Sequence, residues 1–98
     1  MKIIHITQKN TWLEAQKKGL YQADTLASDG FIHCCMPEQV QAVLEKWFAG
    51  VQDVVFLEID TSKVKARIVE ENLEGGSELF PHIYGPLNLD AVENVRTI

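Results

Sequence analysis

The chain has 98 residues, a formal net charge of −5 and 46% hydrophobic residues. That is the size of a single domain, residues 1–98, with a modest core and no need of disulfide or metal staples. The acidic balance argues against nucleic acid and anionic membrane as partners, since both attract cationic surfaces; the densest basic run is Lys17-Lys18.

In chain order, the first seven residues carry neither a long apolar core nor a cleavage pattern, so no signal peptide is expected. No apolar stretch approaches the roughly 18 residues that a bilayer span needs. Residues 3–7 are a β-branched run and read as the first strand. Asn10 or Thr11 suits the cap of a helix running to Lys18, with Trp12, Ala15 and Gln16 inward and Gly19 as terminator. Residues 20–30 read as irregular, with Asp24, Ser28, Asp29 and Gly30 as turn formers. Residues 31–35 form a second strand, and Pro37 suits the first turn of a second helix. Val40, Val43, Leu44, Trp47 and Phe48 then recur at three- and four-residue spacing as one buried stripe, closed by Gly50.

Residues 54–60 are the most apolar strand and belong at the centre of a sheet. A turn over 60–65 leads to a strand over 66–69 that ends in Glu70. An acidic loop over 71–78 carries Gly75-Gly76, which is not a phosphate loop because no Lys-Ser/Thr follows. Residues 80–85 are a short aromatic segment, and 92–98, entered through Asp90, close the fold. Two helices early and strands late predict α+β rather than alternating α/β.

The two cysteines, Cys34 and Cys35, are neighbours. Adjacent cysteines rarely bridge, and this pair is no secreted-type framework, so cytoplasmic residence with reduced thiols is expected. Both read as buried packing residues.

The three histidines share one kind of context: Ile-Ile-His-Ile-Thr, Phe-Ile-His-Cys-Cys and Phe-Pro-His-Ile-Tyr-Gly. Each is a titratable ring inside a short apolar strand. Because strand residues alternate between faces, His5 shares a face with Ile3 and Thr7, His33 with Phe31 and Cys35, and His82 with Phe80 and Tyr84. A lone strand histidine is more often a hydrogen-bonded structural residue. Three, with none elsewhere, point to a shared cleft suited to acid–base work or ligand binding near neutral pH.

Metal ligation by these histidines with Cys34, Cys35 or Glu70 lacks any local ligand spacing, so no metal is assigned. A Cys35–His33 nucleophile pair is a further alternative, whereas His33 and Cys34 face opposite ways. The pair Glu70-Glu71 reads either as a solvated run or as one carboxylate turned inward beside the histidines to stabilise a cationic centre. Tyr21 and Tyr84 are candidates to stack on a flat ligand ring or simply to pack.

The segments Ile3-Ile4-His5-Ile6, Trp12, Gly19-Leu20-Tyr21, Ser28, Gly30-Phe31-Ile32-His33-Cys34, Gln39, Glu70 and Phe80-Pro81-His82-Ile83-Tyr84-Gly85-Pro86 together resemble a small bacterial family, domain-of-unknown-function family 952. The resemblance runs from about Lys2 to Arg96. Cys34 departs from it, since the family usually has serine there, and a thiol is a poorer donor to a ligand than a hydroxyl. In fold that family resembles ADP-ribosyltransferases and RNA 2′-phosphotransferases. The resemblance implies an ADP-ribosylation-type fold: two early helices packed on a bent, split, mixed β core, with a cleft for NAD or ADP-ribose. It implies that His5 and Thr7 contact the nicotinamide-side ribose, that Glu70 supports an oxocarbenium-like centre, and that Gly19, Leu20 and His33 fit recurring positions.

Two readings follow. In one, the protein binds NAD or an ADP-ribose derivative as a small-molecule ligand, and catalyses ADP-ribosyl transfer or hydrolysis. His5, Glu70 and His82 are then the catalytic candidates, and Thr7, Tyr21, His33 and Tyr84 the ligand-binding ones. In the other, it is a non-enzymatic domain that senses a small metabolite, or a metal-dependent site built from the histidines. Only Arg67 and Arg96 are present to meet phosphates, and neither matches a phosphotransferase position. Oligomeric state leaves no signature in the sequence.

Overall fold

A computed structural model describes residues 1–72 and 78–97, and of Asp24 and Thr25 the backbone alone. The expected Gly75-Gly76 loop and Ile98 lie outside the described residues. Among the described residues eight strands and three α-helices follow in the order β1 (Lys2–Gln8), α1 (Lys9–Lys18), β2 (Leu20–Tyr21), α2 (Asp24–Asp29), β3 (Ile32–His33), α3 (Val40–Trp47), β4 (Val54–Asp60), β5 (Arg67–Glu71), β6 (Phe80–Tyr84), β7 (Leu87–Asn88) and β8 (Val92–Thr97). Short 3-10 turns precede α3, follow β4 and enter β8. No helix among the described residues is long and apolar enough to cross a membrane.

The α+β class is as expected, and the core is split into three sheets, ordered β1-β4-β8, β2-β7 and β3-β6-β5. The expectation of a mixed core is corrected: every described pairing is antiparallel. β4 is central, as its apolar run requires. Val55, Leu57 and Ile59 on one face join Ile3, Ile32, Ile83 and Leu87 in the larger core cluster. Val54 on the other face joins Ile4, Ile6 and Cys35 in a smaller one, against which α3 lays Val40, Val43 and Leu44, and Phe48 packs just after the helix. β1 is therefore buried on both faces.

Four local differences from the sequence reading have physical causes. α1 starts directly off β1 at Lys9, whose N–H bonds the Asp53 carbonyl, so Asn10 and Thr11 lie inside the helix and cap nothing. Its Gln16 is exposed, and only Trp12 and Ala15 are buried. The segment read as irregular holds β2 and α2; both α1 and α2 end on a left-handed glycine, Gly19 at φ 79° and Gly30 at φ 84°, a conformation that β-carbon-bearing residues rarely adopt. Trp47 is not in the buried stripe. It is the last residue of α3, and Phe48 turns inward in its place.

Asn88 was not singled out by any pattern. It is buried, accepts from Lys65 N at 3.0 Å, and donates to Lys63 O at 2.8 Å and Asp90 Oδ1 at 2.6 Å. It thus fastens β7 to the chain that leads from β4 into β5. Asn88→Ala should lower stability by about 1–3 kcal/mol for each group left unpaired. Urea denaturation measures this, and a loss within about 0.5 kcal/mol would show that the clamp does not hold the fold.

Candidate functional site

The sheet β3-β6-β5 sets the site by strand alternation. Ile32 pairs with Ile83, which pairs with Ile68, and this row enters the larger core. The neighbouring row, His33, His82 and Val69, takes the opposite face. Phe31 lies beside it, its ring stacked on His82 with centroids 4.1 Å apart and tilted on His33 at 4.7 Å. His33 and His82 meet edge to face at 5.2 Å.

This face meets β1 along the strand's outer edge. The two sheets touch there through one antiparallel bridge, Ile4 N to Cys35 O and Cys35 N to Ile4 O, each 2.8 Å. Beyond the bridge a cleft of about 640 Å³ opens. His5, Thr7, Tyr21, His33 and His82 all border it, so the structure brings the three histidines together. Its other end is apolar, walled by Ile4, Ile6, Val43, Trp47, Phe48 and Phe80.

His5 is deeper than a simple cleft residue. It is 6% exposed. Its Nδ1 lies 2.5 Å from the His33 carbonyl, which can only accept, so Nδ1 carries the proton. Nε2 then accepts from the Tyr21 hydroxyl at 2.6 Å. Burial pulls its pKa down to about 4, against the opposing effect of the hydrogen bond it donates to the His33 carbonyl, and the ring is neutral at pH 7. Tyr21 is buried and bonded to His5, so it positions that ring rather than offering a stacking face.

The carboxylate at the histidines is Glu71, not Glu70. Val69 and Glu71 share the face of His82, whereas Glu70 lies on the other face and is exposed. Glu71 Oε2 accepts from the Tyr84 hydroxyl and from His82 Nδ1, the latter at 2.8 Å. The Tyr84 hydrogen bond, then that from His82, hold its pKa below the ordinary carboxylate value, so it is ionised. The same bond pushes the Tyr84 hydroxyl up. Tyr84 does not border the cleft; it acts through Glu71, with the Arg67 guanidinium 5.2 Å from its ring centroid.

His82 is 4% exposed, and Glu71 fixes its proton on Nδ1. Among the described residues its Nε2 has no hydrogen-bond partner. His33, by contrast, is exposed and bonds Asp29 Oδ2 at 3.0 Å. The backbone supplies a further open position. Ile3, His5 and Thr7 turn their polar groups toward β4, so Ile4 and Ile6 turn theirs outward. Ile4 is bonded to Cys35; Ile6 finds no partner on that edge among the described residues.

Neither thiol is suited to nucleophilic attack. Cys34 is packed in the larger core and burial pushes it well up; Cys35 is pushed up to about 11, by burial and then by the Glu38 charge. The alternative of a Cys35–His33 pair therefore lacks a thiolate at neutral pH. No three His, Cys, Asp or Glu side chains converge as a metal would need, among the described residues. Among the described residues no Lys or Arg borders the cleft, while Asp29 and Glu71 do.

An α+β domain with a carboxylate–imidazole cleft at a sheet edge is the class this geometry defines. The chain belongs to a family of proteins of unknown function, DUF952, whose model matches residues 6–95. The crystal structure of protein CC0527 from Caulobacter crescentus is similar, with a TM-score of 0.88 and 30% identity over 99% of this chain and 85% of that one. The solution structure of the same protein gives 0.82 and 30% over 97% and 82%. No curated protein matches significantly.

His5 yields a pH prediction. Its native pKa lies below the unfolded value of 6.5, so the unfolded chain binds more protons between about pH 4 and 6.5. Stability contributed by neutral His5 is complete above that window and is lost as pH falls through it, to about 3 kcal/mol at most. Urea midpoints from about pH 7 down to 4 should show this slope. His5→Gln should be less stable at pH 7 and should flatten the slope; an unchanged slope would mean that His5 is not the titrating group.

Proposed function

We propose that the cleft binds a nucleotide-type small molecule of the NAD or ADP-ribose class, with the base and its ribose inside and the phosphates at the solvent side. The observation that carries this is a set of open hydrogen-bonding positions on buried groups around one cavity. Buried polar groups are rarely left unpaired without a reason, and a ligand is one such reason. The Ile6 N–H and C=O offer a donor and an acceptor side by side, which complement a primary carboxamide. His82 Nε2 offers an acceptor for a hydroxyl, and Glu71 offers a fixed negative charge. Volumes of about 300–1,000 Å³ are usual for small-molecule pockets, and 640 Å³ falls within that range.

In the catalytic form of the proposal, the bond between C1′ and the nicotinamide nitrogen breaks. Its electron pair neutralises the pyridinium as nicotinamide leaves. Glu71 stabilises the positive charge that grows on the ribose. Water or an acceptor hydroxyl forms the new C1′–O bond and gives its proton to His82 Nε2. His5 does not transfer protons, since both its nitrogens are engaged; it positions Tyr21 and the strand beside Thr7. The ADP-ribosylation-type fold and a cytoplasmic setting with reduced thiols belong to this same proposal.

The second reading, a non-enzymatic domain that binds a small metabolite, is favoured by the absence of any bordering Lys or Arg among the described residues. Incubation of pure protein with NAD, followed by mass spectrometry for free nicotinamide, separates the two. Binding is tested by amide resonances. NAD should shift residues 4–7, 32–35 and 82–85 together. Glu71→Gln should weaken binding or turnover at least tenfold, while Glu70→Gln should leave both unchanged. No shift at about millimolar NAD, ADP-ribose or nicotinamide would end the nucleotide reading.

A further inference from the structure

The apolar side chains at the far end of the cleft are not used by the chemistry above. α3 carries an apolar stripe, but none of its residues is fully buried, and Val43 and Phe48 border open space. Opposite them stand Ile4 and Ile6, 7% exposed each, and half-buried Phe80. At the mouth, Trp47 borders the cleft while 57% exposed. Indole is the largest apolar side chain and is highly buried on average, so this exposure is unusual. Lys46 Nζ lies 5.1 Å from the ring centroid.

Size decides how much ligand the cleft takes. A benzene-sized ring fits a cavity of about 150 Å³. The cleft, at about 640 Å³, has room for a ring at the histidines and a second, larger one beyond it. Charge decides the chemistry of that second group. Among the described residues the charged groups that border the cleft are Asp29 and Glu71, both carboxylates, and none lines the apolar end, where Lys46 sits over the Trp47 ring.

We propose that Trp47, Phe48 and Phe80 form a second subsite that stacks an uncharged heteroaromatic ring of purine size, the far end of the same ligand whose near end meets Glu71 and His82. The subsite rests on the nucleotide reading and names the part of the ligand that supplies much of its affinity. Bases stack on exposed aromatic side chains without needing a specific hydrogen-bond pattern, and Trp47 is placed at the open end where a ligand enters.

The test uses the whole chain, with NAD, adenosine and nicotinamide as probes. Trp12 is buried in the larger core, so ligand-dependent quenching reports Trp47. NAD and adenosine should quench wild-type fluorescence, and nicotinamide should not. Trp47→Ala should keep its melting temperature, bind NAD between about fivefold and a hundredfold more weakly, and bind nicotinamide as before. Trp47→Phe should restore most of the affinity without the quenching. If NAD shifts the His33 and His82 amides but Trp47→Ala binds it as tightly as wild type, the subsite is wrong and the nucleotide reading stands. If adenosine quenches Trp47 but NAD and nicotinamide leave the histidine amides unmoved, the subsite stands and the reading of the histidine end fails. If none of the three probes binds, both fail.

Discussion

One bridge between Ile4 and Cys35 governs the geometry of the cleft. Its two 2.8 Å hydrogen bonds are the antiparallel pairing by which the β3-β6-β5 sheet is joined to the edge of β1. A full ladder there would have closed the edge and left no cavity. Among the described residues one isolated residue pair joins the two sheets by backbone hydrogen bonds. The bond from His5 Nδ1 to the His33 carbonyl supports the same junction from the core side. What remains is an opening with a strand edge for one wall and an imidazole face for the other.

Two buried histidines, His5 and His82, hold the same tautomer for different reasons. A carbonyl takes the Nδ1 proton of His5, and a carboxylate takes that of His82. The difference lies at the other nitrogen. At His5, Tyr21 closes it and burial keeps the ring neutral, so the residue is part of the scaffold. At His82 the other nitrogen has no partner among the described residues, and the Phe31 ring stacked on it limits rotation without offering a hydrogen bond. A position that is rigid, buried and open is what proton transfer or ligand recognition requires.

Much of this was legible in the residues. Histidine alternating with isoleucine fixed the faces of β3 and β6, and the apolar run of β4 fixed the centre of its sheet. The carboxylate was missed because Ile68 and Val69 are both apolar, so the sequence carries no sign of which parity faces the core; one residue of error exchanges Glu70 for Glu71. α2 was missed because Leu26 is its one large apolar residue, too few for a periodic signal. Trp47 matched the spacing of the stripe, but spacing cannot tell where the covering sheet ends. Gln39, noted only as part of a motif, proves to bond Met36 N and Leu79 O, tying the start of α3 to the entry of β6.

The departure at Cys34 fits the same frame. A hydroxyl facing a ligand would be poorly replaced by a thiol, but residue 34 faces the larger core, one residue out of phase with His33. There a thiol packs as a small hydrophobe, and burial keeps it protonated. Position 34 thus contributes to the floor of the cleft through volume rather than through a hydrogen bond. The polar work falls to residues of the opposite parity, His33 and His82, together with Glu71. Such a cleft offers ring faces, backbone amide groups and the carboxylates of Asp29 and Glu71. Among the described residues no Lys or Arg borders it to hold a phosphate inside, so the proposed ligand keeps its phosphates at the solvent side.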